Sequence, residues 1–282
     1  MQFKLFMFII TLAFVCLPTF IFGEVFEGIE RIKESGELRI LMAKDDWWPF
    51  FYADEAGNLS GIDINVSKKI CENLEVKPVF IRKDSFNQLA PALKRGEGDV
   101  IISYFSYTPQ RNIDVFLTSP YILSTDSLLI NNRVLEKIKR ENPTVSGQIL
   151  TNALDEEHYK IASVKGTSHE FWAQELFEKA EISLYDPSQI EEMLDDKEVD
   201  AFYFDEIWTR FFLALNPEFY LNYSFFKLNR EDQIVVGVAP DNVSLYLWLE
   251  NYITTNLNMN QIIDDMYHEY SKDLSDYISE TR

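Results

Sequence analysis

Residues 99–111 read DVIISYFSYTPQR. The run opens on Asp99, passes through an apolar strand at Val100 to Ile102, and then turns polar at Ser103, Tyr104, Ser106 and Thr108 before reaching Arg111. A buried strand that turns abruptly polar at its C-terminal end is where open α/β sheets place ligands. A guanidinium can grip a carboxylate through two parallel hydrogen bonds, and the hydroxyls of Ser106 and Thr108 can donate or accept beside it. The stretch therefore predicts a small-molecule binding site on an α/β fold.

The flanking chain supports that fold class. Val25, Phe26, Ile29 and Ile32 have near-helical spacing over residues 24–34, and Gly36 stops the helix. Leu38 to Ala43 reads as a strand, Ser67 to Leu74 as a helix and Val76 to Ile81 as the next strand. Phe86, Leu89, Ala90 and Leu93 share one face of a helix that Asp84 or Ser85 is expected to cap and Gly96 to close. This order, strand–helix–strand–helix–strand, predicts a parallel sheet covered on both faces. Between the first strand and the helix at Ser67, the aromatics Trp47, Trp48, Phe50, Phe51 and Tyr52 cluster on a loop. They are read either as a plug for the end of the domain or, for Trp47 above all, as a ring that packs flat on a ligand. Gly57-Asn58 marks a bend flanked by Tyr52 and Leu59.

A second segment repeats the plan of the first. ALKRGEGDVIISYFS and MLDDKEVDAFYFDE each run from a helix end through a turn and an acidic residue to an apolar strand with a polar tip. The repeat predicts two similar lobes, with Asp205 and Glu206 of the second copy standing where the first has Ser103 to Ser106. Between the copies, Ser127 to Ile130 reads as a strand, and Arg133 to Leu154 as a surface helix and loop broken by Pro143 and Gly147. Tyr159 to Val164 reads as a strand feeding Lys165-Gly166-Thr167-Ser168 and a helix with Phe171, Trp172 and Leu176. That turn is either an anion cradle of backbone N–H groups or an ordinary N-cap by Thr167 or Ser168. Asp186-Pro187-Ser188 caps the following helix, Ala201 to Phe204 is a buried strand ending on Asp205, and Gln233 to Ala239 is an apolar strand stopped by Pro240. Helices carrying Leu245, Trp248 and Leu249, then Ile262, Ile263 and Met266, complete the fold, ahead of a frayed polar tail from Ser271.

Composition narrows the function. The 282 residues are 46% hydrophobic and 26% charged, enough for a sizeable core in one large or two small domains. A net charge of −20 repels phosphate backbones and anionic membranes, which excludes nucleic acid as the expected partner and mildly favours cationic or zwitterionic ligands. The histidines, His158, His169 and His268, lack ligand spacing, and no metal or other cofactor is expected. Cys71 falls on a buried helix face with Val66, Ile70 and Leu74 and reads as core. Residues 1–23 carry one charge, Lys4, then an apolar run ending near Pro18 and Gly23, the layout of a secretory signal peptide. An uncleaved anchor, or a lipoprotein signal ending at Cys16, are the alternatives.

Taken together, GELRILMA (36–43), WPFFYADEAGNLSGIDINVSKKI (48–70), LAPALKRGEGDVIIS (89–103), SYTPQR (106–111), LTSPY (117–121), VKGTS (164–168) and VDAFYFDE (199–206) resemble the family 3 extracellular solute-binding proteins. These are the polar-amino-acid receptors of bacterial ABC importers. The resemblance implies a two-lobed periplasmic-binding-protein fold of type II, joined by two crossover hinge segments. Lobe 1 would be residues 24–124 with 228–282, and lobe 2 residues 125–227. It further implies a periplasmic monomer that binds an amino acid or related solute and meets an ABC permease in the membrane. By resemblance, Arg111 and the backbone near Ser106 and Ser168 hold the solute's carboxylate, and Asp205 with the Ser106 hydroxyl takes its ammonium. Trp47 and Phe86 line the side-chain pocket; Ser103, Tyr104 and Thr167 complete the expected site. Tyr104 stands where the family usually has a small residue, often glycine. The implied function is that of a binding protein, not an enzyme. The rival readings are a ligand sensor or accessory protein, or a cyclohexadienyl dehydratase-like enzyme with Asp205 or Glu206 as general acid.

Overall fold

The computed structural model describes residues 28–53, 56–258 and 261–262. The expected leader at 1–23 with Cys16, the start of the helix at 24–34, His268, Ile263, Met266 and the tail from Ser271 lie outside the described residues. Residues 28–35 are helical and lead into β1 (Glu37–Ala43), the hairpin β2 (Tyr52–Ala53) and β3 (Leu59–Ser60), α1 (Ile62–Leu74), β4 (Lys77–Lys83), α2 (Leu89–Lys94), β5 (Val100–Ile101), α3 (Pro109–Asp114) and β6 (Phe116–Leu117). Then come β7 (Ile122–Asn131), α4 (Asn132–Glu141), α5 (Gly147–Leu154), β8 (Lys160–Val164), α6 (Ser168–Leu176), β9 (Glu181–Tyr185), α7 (Ile190–Asp195), β10 (Ala201–Asp205) and α8 (Glu206–Leu215). The chain closes with β11 (Tyr223–Ile234), β12 (Gly237–Val238) and α9 (Val243–Thr255).

Two five-stranded sheets result, ordered β4-β1-β5-β12-β6 and β11-β7-β10-β8-β9. The expected parallel core is present where β1 pairs with β4 and β5. The sheet is nevertheless mixed, because β12 runs antiparallel to both β5 and β6. The apolar run at Gln233 to Ala239 is therefore not one strand. Its first two residues end β11 in one sheet, and Gly237–Val238 pair in the other. The chain passes between the sheets twice, from β6 into β7 and from β11 back into β12. β7 and β11 lie side by side as a long antiparallel ladder whose register shifts between Lys227 and Glu231.

Other local expectations need correction. Gly147 does not break a helix but begins α5, which Ser146 caps by accepting the Ile149 N–H at 3.4 Å. The segment at 133–154 is also more than surface cover, since Val134, Leu135, Ile138, Leu150 and Leu154 are buried in the core under the second sheet. Ser85 flanks a short 3₁₀ turn ahead of α2, and its side chain makes no capping hydrogen bond. Asp186, by contrast, closes a reciprocal capping box with Gln189, as its position before Pro187 implies.

The internal repeat is real at the level of individual atoms. Asp99 accepts the Arg39 N–H at 2.9 Å while its own N–H donates to the Arg39 carbonyl at 2.8 Å. Asp200 does the same with Lys160, at 2.9 Å in both directions. Three residues before each acid the chain turns through the left-handed region, at Gly96 (φ 73°) and at Lys197 (φ 57°). Each acid thus locks a tight turn onto the start of the neighbouring parallel strand, and each strand ends beside the other lobe.

Candidate functional site

The C-terminal ends of β1, β5, β8 and β10, with the turn after β4, converge on one cavity. It is lined by Trp47, Phe86, Tyr104, Ser106 and Arg111 from the first sheet's side, and by Thr167, Ser168, His169 and Phe204 from the second's. Its volume is about 10 Å³, room for about one water. Arg111, Thr167 and Ser168 also line a wider groove of about 290 Å³ that opens outward past Asn87 and Phe171. Seven of the nine residues expected from the sequence therefore share one cavity.

Local sequence explains how Arg111 is held. Thr108 caps α3 by accepting the Arg111 N–H at 3.1 Å, and Pro109 occupies the first helical position, where no N–H is needed. The guanidinium lies 4.0 Å from the centroid of the Phe105 ring, and its Nη1 donates to the Ser106 carbonyl at 2.7 Å. Burial pulls its pKa down to about 10, with Asp232 acting in the opposite sense, so it is a cation throughout the physiological range. Trp47 is buried, stacks on Phe204 at 5.5 Å and meets Phe86 edge-on at 5.4 Å. Trp47 closes the end of the first core and also lines the cavity. At the start of α6, Thr167 makes no side-chain cap; its hydroxyl donates to the Val164 carbonyl at 2.7 Å.

Two expected residues fall outside the cavity lining. Ser103 is fully buried, and its hydroxyl accepts the Ala43 N–H at 2.9 Å, which ties β1 to the end of β5. Asp205 is fully buried behind the lining residue Tyr104. It accepts from Ser124 Oγ at 2.5 Å and from the Trp208 N–H at 2.7 Å, capping α8. Burial raises the Asp205 carboxyl to about 6, against the lowering effects of His169, Ser124, Tyr104 and the Trp208 N–H. Glu206, proposed beside it as an acid, is bonded to Thr125, Arg210 and Lys227 on another face, and these partners hold its pKa below the ordinary value despite burial.

The polar half of the site is built largely from residues that sequence reading missed. His169, set aside for want of metal-ligand spacing, lines the cavity and is 2% exposed. Its Nε2 faces Asp126 Oδ1 at 3.4 Å and Asp232 Oδ2 at 3.9 Å. Burial lowers its pKa, but Asp126, Asp232 and Asp205 together raise it above the ordinary value. Asp232, on β11, accepts from Ser106 Oγ at 2.9 Å through Oδ2, while its Oδ1 has no hydrogen-bond partner among the described residues. Asp126, on β7, stands opposite the register shift of β11, from which Arg230 reaches back with contacts of 2.9 and 2.8 Å. The Tyr203 hydroxyl donates to the same carboxylate, and Arg230 covers the Trp172 ring at 3.8 Å. Among the described residues no cluster of His, Cys, Asp and Glu could hold a metal ion.

Comparison with known proteins gives these residues their setting. Residues 38–161 match the model of the bacterial extracellular solute-binding proteins, family 3. A protein of Campylobacter jejuni named a probable histidine-binding protein is 29% identical over 170 residues, 60% of each chain. The chain thus spans less than two thirds of that relative. The ABC transporter arginine-binding protein 1 of Escherichia coli is 26% identical over 210 residues, 72% of this chain and 79% of the other. Among solved structures, an ancestral amino-acid-binding protein described as a precursor of cyclohexadienyl dehydratase superposes with a TM-score of 0.69. It covers 86% of this chain and 98% of that one at 21% identity. Over residues 38–161 the chain is similar to the family 3 bacterial extracellular solute-binding proteins, and it has the two-lobed type II periplasmic-binding fold.

Proposed function

We propose that this protein captures a small zwitterionic solute of the amino-acid class between its two lobes, in the periplasm, and delivers it to an ABC importer by hinged closure. The lobes would be residues 24–124 with 228–282, and residues 125–227, and the protein would act as a monomer. The observation that carries this reading is a half-buried guanidinium, Arg111, in a cavity lined from both sheets. A solute carboxylate that pairs with it contacts both sheets at once, so it binds the closed arrangement better than an open one and shifts the population toward closure. Ser168, the first residue of α6, lines the same cavity and offers its backbone N–H and hydroxyl to that carboxylate. The family relatives, named for histidine and arginine, support an amino-acid ligand.

A thermal-shift screen of amino acids, polyamines and small organic acids identifies the solute, since a ligand at 100 times its Kd adds about 2.7 kcal/mol of stability. Titration calorimetry then compares wild type with Arg111→Ala. Truncating one partner of a buried charge pair costs about 2–5 kcal/mol, so the variant should bind at least thirtyfold more weakly. Unchanged affinity would refute the proposed clamp.

His169 favours one second reading, a dehydratase acting on a small carboxylate. Such an enzyme needs a general acid at the leaving group, and His169 is a cavity-lining group with a raised pKa. Incubation with prephenate or arogenate, followed by a product assay, separates the two: turnover that is lost in His169→Gln selects the enzyme.

A further inference from the structure

Tyr104 occupies its place at a visible energetic cost. Its φ of 45° lies in the left-handed region, which side chains other than glycine, asparagine and aspartate rarely adopt. A buried carboxylate holds it there: Asp63 Oδ2 accepts the Tyr104 N–H at 2.5 Å, and Asp63 Oδ1 accepts the Tyr121 hydroxyl at 2.8 Å. The ring lies flat against Phe50, with centroids 3.4 Å apart and planes at 19°. Its hydroxyl is buried among Asp205, Asp232 and Ser124, yet makes no well-formed hydrogen bond among the described residues. A buried tyrosine hydroxyl ordinarily finds a partner. Strained backbone and a buried hydroxyl with no hydrogen bond of good geometry, both at the wall of a ligand cavity, are what a functional constraint leaves behind.

The cavity shows what the ring displaces. Its volume of about 10 Å³ is far below the roughly 300–1,000 Å³ of ordinary ligand pockets. Arg111 lies at this cavity, while Asp205, the expected partner of a solute ammonium, is screened from it. Tyr104 lines the cavity while its hydroxyl lies against Asp205, so its side chain joins the two.

We propose that Tyr104 is a tethered occupant of the solute site: its phenol fills the space in front of Asp205 that the cationic group of a zwitterionic solute takes, and solute binding expels it. This rests on the solute-binding reading above and adds a selectivity rule to it. A solute that engages Arg111 alone leaves the ring in place. One that also carries a cation gains Asp205 as the ring departs. The intrinsic affinity is multiplied by the fraction of time the ring is out.

The test is calorimetric titration of wild type, Tyr104→Gly and Tyr104→Asn with L-arginine, L-lysine, L-glutamine and L-cysteine, after circular dichroism has established that each variant is folded. Glycine accepts the φ of residue 104 without strain, and asparagine tolerates it should the glycine variant not fold. The variants should bind the best probe at least tenfold more tightly than wild type, and adding Asp205→Asn should remove the gain. Should wild type bind a probe and neither variant bind it more tightly, the occupant proposal is overturned and the solute-binding reading stands. Should a gain persist with Asp205→Asn, the ring merely fills space and the proposal is likewise overturned. Should no protein bind any probe, both fall.

Discussion

Asp126→Ala tests whether the polar wall of the cavity rests on buried charge. Asp126 is fully buried, accepts from Arg230 Nη1 at 2.9 and 2.8 Å and from the Tyr203 hydroxyl, and faces His169 Nε2 at 3.4 Å. Removing the carboxylate strands the Arg230 guanidinium, whose side chain is 21% exposed, so water relieves it only in part; it also takes from His169 a neighbour that raises its pKa. Breaking a buried pair from one side costs about 3–5 kcal/mol. With a urea m-value of about 3 kcal/mol per M, this lowers the unfolding midpoint by about 1–1.7 M. The assay is urea unfolding followed by tryptophan fluorescence and circular dichroism, whose transitions should coincide if a two-state analysis is to be used. A second variant isolates the cause. Asp126→Ala with Arg230→Met removes the stranded guanidinium and should recover at least half the loss, since an apolar replacement of a whole buried pair is often neutral. A midpoint shift below about 0.3 M, or a double variant as unstable as the sum of the singles, would refute the argument.

Two further outcomes follow from backbone and titration. Lys197 is exposed and sits at φ 57°, where the first lobe has Gly96; Lys197→Gly should stabilise the protein by about 0.5–1 kcal/mol, and a lower melting temperature would show the turn is set by something else. Stability should fall between pH 5 and pH 8. Burial raises Asp63 to about 7 and Asp205 to about 6, and His169 lies above its ordinary value, so in each case the folded state binds protons that the unfolded chain has released. Those contributions are complete below the unfolded pKa values and are lost as pH rises through the folded ones. Asp126, held down by His169, Arg230 and Tyr203 against its burial, acts oppositely, but only toward acid. The loss should be about 2–4 kcal/mol, read as a lower urea midpoint at pH 8. An unchanged or higher midpoint there would contradict the assignment of these groups.

Much of this protein could be read from local pattern. The stretch at 99–111 carries its strand, its Thr-Pro helix cap and its arginine within thirteen residues, so no distant contact is needed to interpret it. The repeat around Asp99 and Asp200 is legible for the same reason: turn, acid and strand are contiguous in both copies. The acidic half of the site was hidden because its partners come from far apart, Arg230 and Asp126 by 104 residues and Ser106 and Asp232 by 126. In β11, which reads YSFFKLNREDQI, Arg230 and Asp232 look like solvated surface charges. Asp232 is buried and Arg230 half-buried because the β7–β11 ladder and the start of α6 bring compensating charges against them, and a desolvated charge is tolerated only when so paired. Tyr104 lies between these cases. Its identity stood out in the chain, but that its ring would face inward, between the cavity and Asp205, was decided by the packing of two lobes against each other.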